Sequence, residues 1–384
     1  MADWLLEADF THLNHGSFGA CPSPVLEEQQ RWRTLMEANP VRFFTQILPE
    51  AVEGARQRLA SFARADTEGL VFVPNATAGI GAVLRSLELR TGDEILITDH
   101  TYNACRNIAE VAALRSGATL VAARVPFPTD PAGYARAVLD RVGPSTRLVL
   151  IDAVTSPTAL VVPSKEIVAE LEPDVTVLVD AAHAPGMIPL DLECLRASYV
   201  VGNCHKWMCA PKGAGFLYAR DDRRRGLVPV AVSHGWNTEP SHGRSRYHHL
   251  FDWTGTDDPS AQLSVPVAID TMAGMNASGW PGIMERNHQL VLAGRALLCE
   301  ALGIEPGVPD EAIGAMATIV LPGDSTAAFG AMDPLTMRLR QEWQIEVPVF
   351  PWRDWPGRLL RISAQVYNEI ADYERLAAAL RLEF

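Results

Sequence analysis

Lysine is scarce in this chain, and one of its three copies stands where covalent chemistry can use it. Lys206 lies in Ala197-Ser-Tyr-Val-Val-Gly-Asn-Cys-His-Lys-Trp207, where a short β-rich run breaks into small and polar residues. Twenty-six residues upstream, a second apolar run, Val175-Thr-Val-Leu-Val, ends on Asp180 and continues Ala-Ala-His183. A lysine just past one buried strand and an acid ending another is the pair that pyridoxal phosphate (PLP) chemistry needs. The amine condenses with an aldehyde, and the acid keeps a pyridine nitrogen protonated so that the ring accepts electrons. The other lysines contrast. Lys165, in Pro163-Ser-Lys-Glu-Ile-Val, falls in the first turn of an amphipathic helix and reads as a solvated charge. Lys212, in Pro211-Lys-Gly-Ala-Gly, is flanked by turn formers and reads as a loop residue. The plain alternative for Lys206 is a lysine snorkelling at a strand end.

The elements that must position these residues alternate in type. Strands are expected at 71–73, 94–98, 118–125, 147–152, 175–180, 199–204 and 215–219, with helices after Asn75 and at 102–116, 131–142 and 164–171. Such alternation predicts an α/β fold with a mostly parallel, helix-covered sheet. Ligands in such sheets bind outside the carboxyl ends of the strands. The turns at Asn75, Thr98, Asp152, Asp180 and Asn203 all follow strands, so they can converge on one crevice. Residues 1–30, rich in turn formers, read as an extended arm, followed by helices at 25–37 and 49–63. After Gly279-Trp-Pro-Gly282, a helix at 283–302 leads into a weaker α+β segment. We therefore expect a large domain over 31–278 and a small one over 279–384, since single cores seldom grow past ~250–300 residues.

Composition narrows the function classes. A net charge of −13 argues against nucleic acid or an anionic membrane as partner. The start, Met1-Ala-Asp-Trp, has no basic n-region, and no stretch approaches the ~18 apolar residues of a membrane span. Six cysteines are scattered without a CxxC pair or zinc spacing, so no metal site is expected and reduced thiols are the simplest reading. A soluble cytoplasmic protein follows as the expectation.

Five motifs then carry a resemblance over nearly the whole chain: Leu13-Asn-His-Gly-Ser-Phe-Gly, Phe72-Val-Pro-Asn-Ala-Thr-Ala-Gly, Asp180-Ala-Ala-His-Ala-Pro-Gly, Gly202-Asn-Cys-His-Lys-Trp and Arg361-Ile-Ser-Ala-Gln-Val-Tyr-Asn. Together they resemble class V, fold-type I PLP enzymes, and within these the isopenicillin N epimerase-like branch. That branch also holds ergothioneine-pathway C–S lyases, cysteine desulfhydrases and sulfur-processing enzymes of lincosamide pathways. The resemblance implies PLP on Lys206, with Asp180 as pyridinium partner. It implies phosphate contacts from Asn75, Ala76, Thr77, Asn203 and His205, and from Gly255 and Thr256 of the second subunit of a homodimer with shared sites. His183 matches the position that bonds the ring's phenolic oxygen, with a satisfied core histidine as the alternative, and Ser156 matches another contact near that oxygen.

Substrate contacts follow in the same way. Arg361 is the expected clamp for an amino acid's α-carboxylate. Asn14, His15 and Gly16 of the arm should close on that end of the substrate, and Arg42 and Trp236 should line its far side. Arg338, Arg353 and Arg358 lack the motif and read as surface charges. Tyr102 replaces one of the histidine pair that cysteine desulfurases carry. It can stack on the ring, deliver a proton as a phenol protonated at neutral pH, or simply pack; His100 is a weaker candidate. No cysteine follows Cys299, itself in an apolar helix, so persulfide-type desulfuration by a loop thiolate is not expected. The leading reaction is β-elimination from a cysteine S-conjugate, with natural-product sulfur metabolism as one setting. The alternatives are oxygen-dependent decarboxylating deamination, epimerisation or transamination, and a non-catalytic PLP-fold binding protein.

Overall fold

The computed structural model describes residues 4–240, 243–325, 327–328, 331–352 and 357–384; Arg353 lies outside the described residues. Three sheets form. The central one has seven strands: β2 (Leu70–Val73), β3 (Glu94–Thr98), β4 (Thr119–Ala123), β5 (Thr146–Asp152), β6 (Thr176–Ala181), β7 (Tyr199–Asn203) and β8 (Gly215–Ala219). Their order is β2-β8-β7-β6-β5-β3-β4, and only β8 runs antiparallel to its neighbours. The β6 run Val-Leu-Val-Asp-Ala is buried throughout, as expected for a parallel strand covered by helices on both faces. A continuous apolar run carries no mark of strand direction, which is why the reversal of β8 had no signal in the sequence.

The carboxyl ends of β3, β5, β6 and β7 bring Thr98, Asp152, Asp180 and Asn203 to one edge, and the register sets Asp152 directly beside Asp180. The expected extended arm is shorter than residues 1–30. A two-residue strand, β1 (Thr11–His12), and one helical turn, His15–Phe18, precede a helix that already starts at Ser23 with Pro24 in its first turn. β1 pairs with β10 (Ile345–Glu346), so the arm is stitched to the C-terminal part of the chain. The third sheet there is antiparallel, β11 (Val349–Pro351), β12 (Gly357–Ser363) and β9 (Met316–Asp324), packed on the helices Gly279–Leu302 and Ile370–Glu383. Of the arginines read as surface charges, Arg338 pairs with Glu383, whereas Arg358 is partly buried against buried Asp333. Among the described residues no helix is long and apolar enough to cross a membrane.

One buried ion pair anchors a loop that matters below. Arg56, 1% exposed on the helix Leu48–Ala63, donates to Asp252 at 2.6 Å, just before Trp253-Thr-Gly-Thr256. Its other acid, Glu53, is farther at 3.6 Å and more exposed. Removing one partner of such a pair strands the other charge. Asp252→Ala should therefore lower the unfolding free energy by about 3 kcal/mol, read as a lower urea midpoint at unchanged slope. A loss under about 1 kcal/mol would show that the pair anchors nothing.

Candidate active site

Lys206 leaves β7 in a turn that closes where the Ala210 N–H donates to the Cys204 carbonyl at 3.0 Å. Its Nζ lies 3.0 Å from Nε2 of His183, which follows β6. Burial, and next the Arg361 charge, lower the Lys206 pKa to about 8; Asp180, Cys105 and Asp152 pull the other way. His183 is buried and kept neutral, chiefly by burial and then by the charges of Lys206, Arg361 and His15. Its Nδ1 accepts the Trp207 indole N–H at 3.3 Å. The other two lysines, Lys165 and Lys212, are exposed.

Asp180 is buried, yet both its oxygens are held: Oδ1 by the Ala182 N–H at 2.9 Å and Oδ2 by the Cys105 thiol at 3.2 Å. Burial raises its pKa, and those two donors and Lys206 oppose the rise. Beside it, Asp152 is buried with Oδ2 unpartnered among the described residues, and burial plus the Asp180 charge push its pKa well up. Two acids so close share one charge, and the donors sit on Asp180. Asp180 is the carboxylate of the pair, free to accept a further N–H on its remaining lone pairs.

Arg361, on β12, is 5% exposed. Its Nη1 donates to the carbonyl and hydroxyl oxygens of Ser156 at 2.6 and 3.1 Å, and its Nη2 to the Ser17 hydroxyl at 2.9 Å. No carboxylate pairs with it among the described residues, and burial lowers its pKa to about 10. The Tyr102 phenol lies near enough to affect that charge. Tyr102 itself caps the start of the helix Asn103–Ser116 and is 49% exposed.

The helix Ala76–Ser86 starts at Asn75, whose side chain caps the Ala78 N–H at 2.9 Å. Asn203 takes the Ala76 N–H at 2.8 Å. Of the expected phosphate contacts, the Ala76 N–H is thus already engaged, and Asn75 and Asn203 are held through their side-chain oxygens. Thr77 keeps both its N–H and its hydroxyl without a hydrogen-bond partner among the described residues, at the positive end of the helix. His205 donates from Nδ1 to the Ala214 carbonyl at 2.9 Å, and burial lowers its pKa to about 4. A free amine, an acceptor carboxylate, an unpaired helix start and a guanidinium lacking an acid form a donor set that fits PLP carrying an amino-acid substrate.

Several predicted residues lie elsewhere than expected. Ser156 bonds the Arg361 guanidinium, so it sits with the residue expected to clamp a carboxylate. His15 is buried behind the lysine, with Nε2 3.1 Å from the Lys206 carbonyl, Nδ1 3.0 Å from the Tyr367 hydroxyl and its ring 5.0 Å from Trp207. Asn14 reaches Arg361 only through Ser17, whose hydroxyl donates to it at 2.5 Å. Gly16 packs where a Cβ would stand 2.3 Å from Met316 Sδ. His100 is fully buried, with Nε2–H donating to the Val125 carbonyl and Nδ1 accepting from Thr158, so it is a core residue. Arg42 and Trp236 are exposed, and no hydrogen bond joins either to Lys206, Asp180 or Arg361 among the described residues. Gly255 and exposed Thr256 likewise have no hydrogen bond to Asn75, Thr77 or His205 within the chain.

Sequence reasoning missed Ser17, Cys105 and Trp207, and placed the turn at Asp152 by the crevice without giving it a role. Only Gly19 offered a signal for the arm's position: its φ is +73°, and a Cβ there would meet the His205 carbonyl at 2.3 Å.

The family model for aminotransferase class V matches residues 19–329. An isopenicillin N epimerase of Amycolatopsis lactamdurans is 36% identical, over 98% of this chain and 96% of its own. An L-cysteine desulfhydrase of Arabidopsis thaliana is 29% identical, over 98% of this chain and 89% of its own. A solved structure of a cystine C–S lyase with its reaction product cysteine persulfide is similar in fold, at a TM-score of 0.80 and 24% identity over 97% of this chain and 98% of that one.

With an amine pKa of about 8, condensation of the cofactor-free protein with PLP should speed up roughly tenfold per pH unit below 8 and level off above it. Stopped-flow absorbance measures this. Borohydride should then fix the cofactor on Lys206, and Lys206→Ala should abolish fixation. Fixation on Lys165 or Lys212 would refute the assignment.

Proposed function

The chain belongs to the class V aminotransferase family, and from that premise we propose that it is a PLP-dependent lyase cleaving the Cβ–S bond of a cysteine-derived S-conjugated amino acid. The carrying observation is the facing pair of a neutral-prone amine on Lys206 and a buried guanidinium on Arg361 with no acid partner. The cofactor is pyridoxal 5′-phosphate, which supplies an aldehyde carbon for amines and, through its pyridinium ring, a sink for the electron pair left at Cα.

The chain's own groups divide the rest. Arg361 takes the substrate carboxylate, a bidentate match for its fork, with Ser156 and Ser17 fixing its plane. Held there, the substrate presents Cα to Lys206, whose free amine removes the α-proton. Asp180 keeps its negative charge toward the pyridine nitrogen, while protonated Asp152 adds no second charge beside it. Thr77 offers an amide and a hydroxyl to the phosphate, with Asn75, Ala76, Asn203 and His205 shaping that end. We assign protonation of the leaving sulfur to Tyr102, a reading supported by its half-exposed phenol near Arg361. The overall change is S-conjugate plus water to thiol, pyruvate and ammonia, so no oxidant is consumed. Burial raises the pKa of the Cys21, Cys105, Cys204, Cys209 and Cys299 thiols. Exposed Cys194, on the short helix Leu192–Leu195, has no hydrogen bond to Lys206, Asp180 or Arg361 among the described residues, which argues against a protein thiolate attacking the substrate sulfur.

The active unit we propose is a homodimer with shared sites, in which Gly255 and Thr256 reach the partner's phosphate, and Arg42 and Trp236 the partner's substrate. The exposure of Thr256 and of the apolar Phe18, Val41, Val230 and Trp236 supports this. A cytoplasmic setting, where the six free thiols stay reduced, goes with it.

Cysteine S-conjugates incubated with the holoenzyme should give pyruvate, ammonia and thiol equally with and without oxygen. Carbon dioxide release with oxygen uptake would overturn the lyase reading, and so would α-deuterium exchange with no pyruvate. Tyr102→Phe should lower elimination on the order of 10²-fold while leaving α-proton exchange nearly unchanged if the phenol is the acid. Equal loss in both would make it a packing residue. Mixing Lys206→Ala with Thr256→Arg subunits should restore about one working site per heterodimer, since sites shared in trans leave one intact pair of contributions; no recovery in exchanged subunits rejects sharing.

A further inference from the structure

The indole of Trp207 is fully buried and is a donor only, so its N–H must find an acceptor. The acceptor is Nδ1 of His183, at 3.3 Å. A ring nitrogen that accepts carries no hydrogen. In a neutral imidazole the hydrogen is then on Nε2, and Nε2 lies 3.0 Å from Nζ of Lys206. Two donors cannot face each other across that distance, so the amine must accept there, and an ammonium cannot. We propose that Trp207 is a positioning residue for the reacting amine: its indole N–H fixes the Nε2–H form of His183, which favours the free base of Lys206 over its ammonium.

This rests on the proposed function only in taking Lys206 as the reacting amine. The other charged and titratable groups facing the pair are Arg361, Asp180, Asp152, Cys105 and His15, with Lys212 acting on His15. Arg361 and His15 sit on the side that keeps the ring neutral, while the two aspartates and Cys105 favour a charged lysine. A burial penalty alone leaves the imidazole tautomer open. The indole closes it.

Without the N–H, the ring can carry its hydrogen on Nδ1 and turn a lone pair toward the amine. The Nε2 lone pair then accepts from an ammonium, which favours the charged lysine. Trp207→Phe keeps the aromatic bulk against Val154, Met187 and Met316 while removing the donor. In cofactor-free protein, the pH profile of PLP condensation should keep its high-pH plateau, while its break moves up by about one unit, a roughly tenfold slowing at pH 7. In a His183→Leu background there is neither a tautomer nor an amide orientation to select, so Trp207→Phe should produce no further shift. An unmoved break in the single variant, or the same shift in the His183→Leu background, would overturn the proposal, the latter because Trp207 would then act by packing. Should Trp207→Phe not fold, ¹⁵N NMR of the wild-type histidine rings decides. An unprotonated Nδ1 and protonated Nε2 on His183, assigned with His183→Gln, are expected, and the reverse refutes the idea. Wild-type protein that forms no adduct at all would instead refute the function, so the two failures stay distinct.

Discussion

Arg361 holds a permanent positive charge inside the protein, and no acid of the described chain neutralises it. Its hydrogen bonds go to uncharged oxygens of Ser156 and Ser17, and its Nε has no partner among the described residues. Burying an unpaired charge costs several kcal/mol, which the carboxylate of the proposed substrate would offset. The same charge acts on the rest of the crevice. It makes a second cation unwelcome, and so adds to the burial that chiefly lowers the proton affinity of Lys206 and His183. Under the proposed function, substrate recognition and part of the amine's reactivity draw on the same charge.

The acidic half of the crevice mirrors this arrangement. β5 and β6 end on neighbouring aspartates, and two like charges there would repel. The backbone N–H of Ala182 and the thiol of Cys105 choose which one stays ionised. Cys105 belongs to the helix that starts beside Tyr102, so one element serves both the ring-nitrogen side and the exposed face. One net charge, held in a fixed place, is what a pyridinium partner requires.

Much of this was legible because strand ends in an α/β sheet announce themselves. Lys206, Asp180 and Asn75 each follow a buried apolar run, and Arg361 carries a compact motif. What escaped depends on distance in space. Cys105 meets Asp180 from 75 residues away, and Ser17 meets Arg361 from 344; no local pattern encodes either. His15 was expected at the substrate, yet its motif residues follow the backbone of the lysine turn, and an imidazole beside a carbonyl and a phenol serves as support. Ser156 shifted for a similar reason: its loop runs under the guanidinium, and a carbonyl and a hydroxyl suit a donor fork. The Arg42 and Trp236 segments are exposed within the subunit, where sequence alone cannot say what faces them.

The short arm around residues 11–19 touches almost everything that matters. It pairs with β10, bonds Tyr367, lies on the lysine turn and props Arg361. The lysine turn lies 191 residues away and the other partners more than 330, so these contacts are among the most non-local in the molecule. During synthesis the central sheet can assemble once residue 219 has emerged. The arm must then wait, with its binding partners still unmade, until Tyr367 leaves the ribosome. The crevice is thus completed late, long after the sheet that carries Asp152, Asp180 and Lys206.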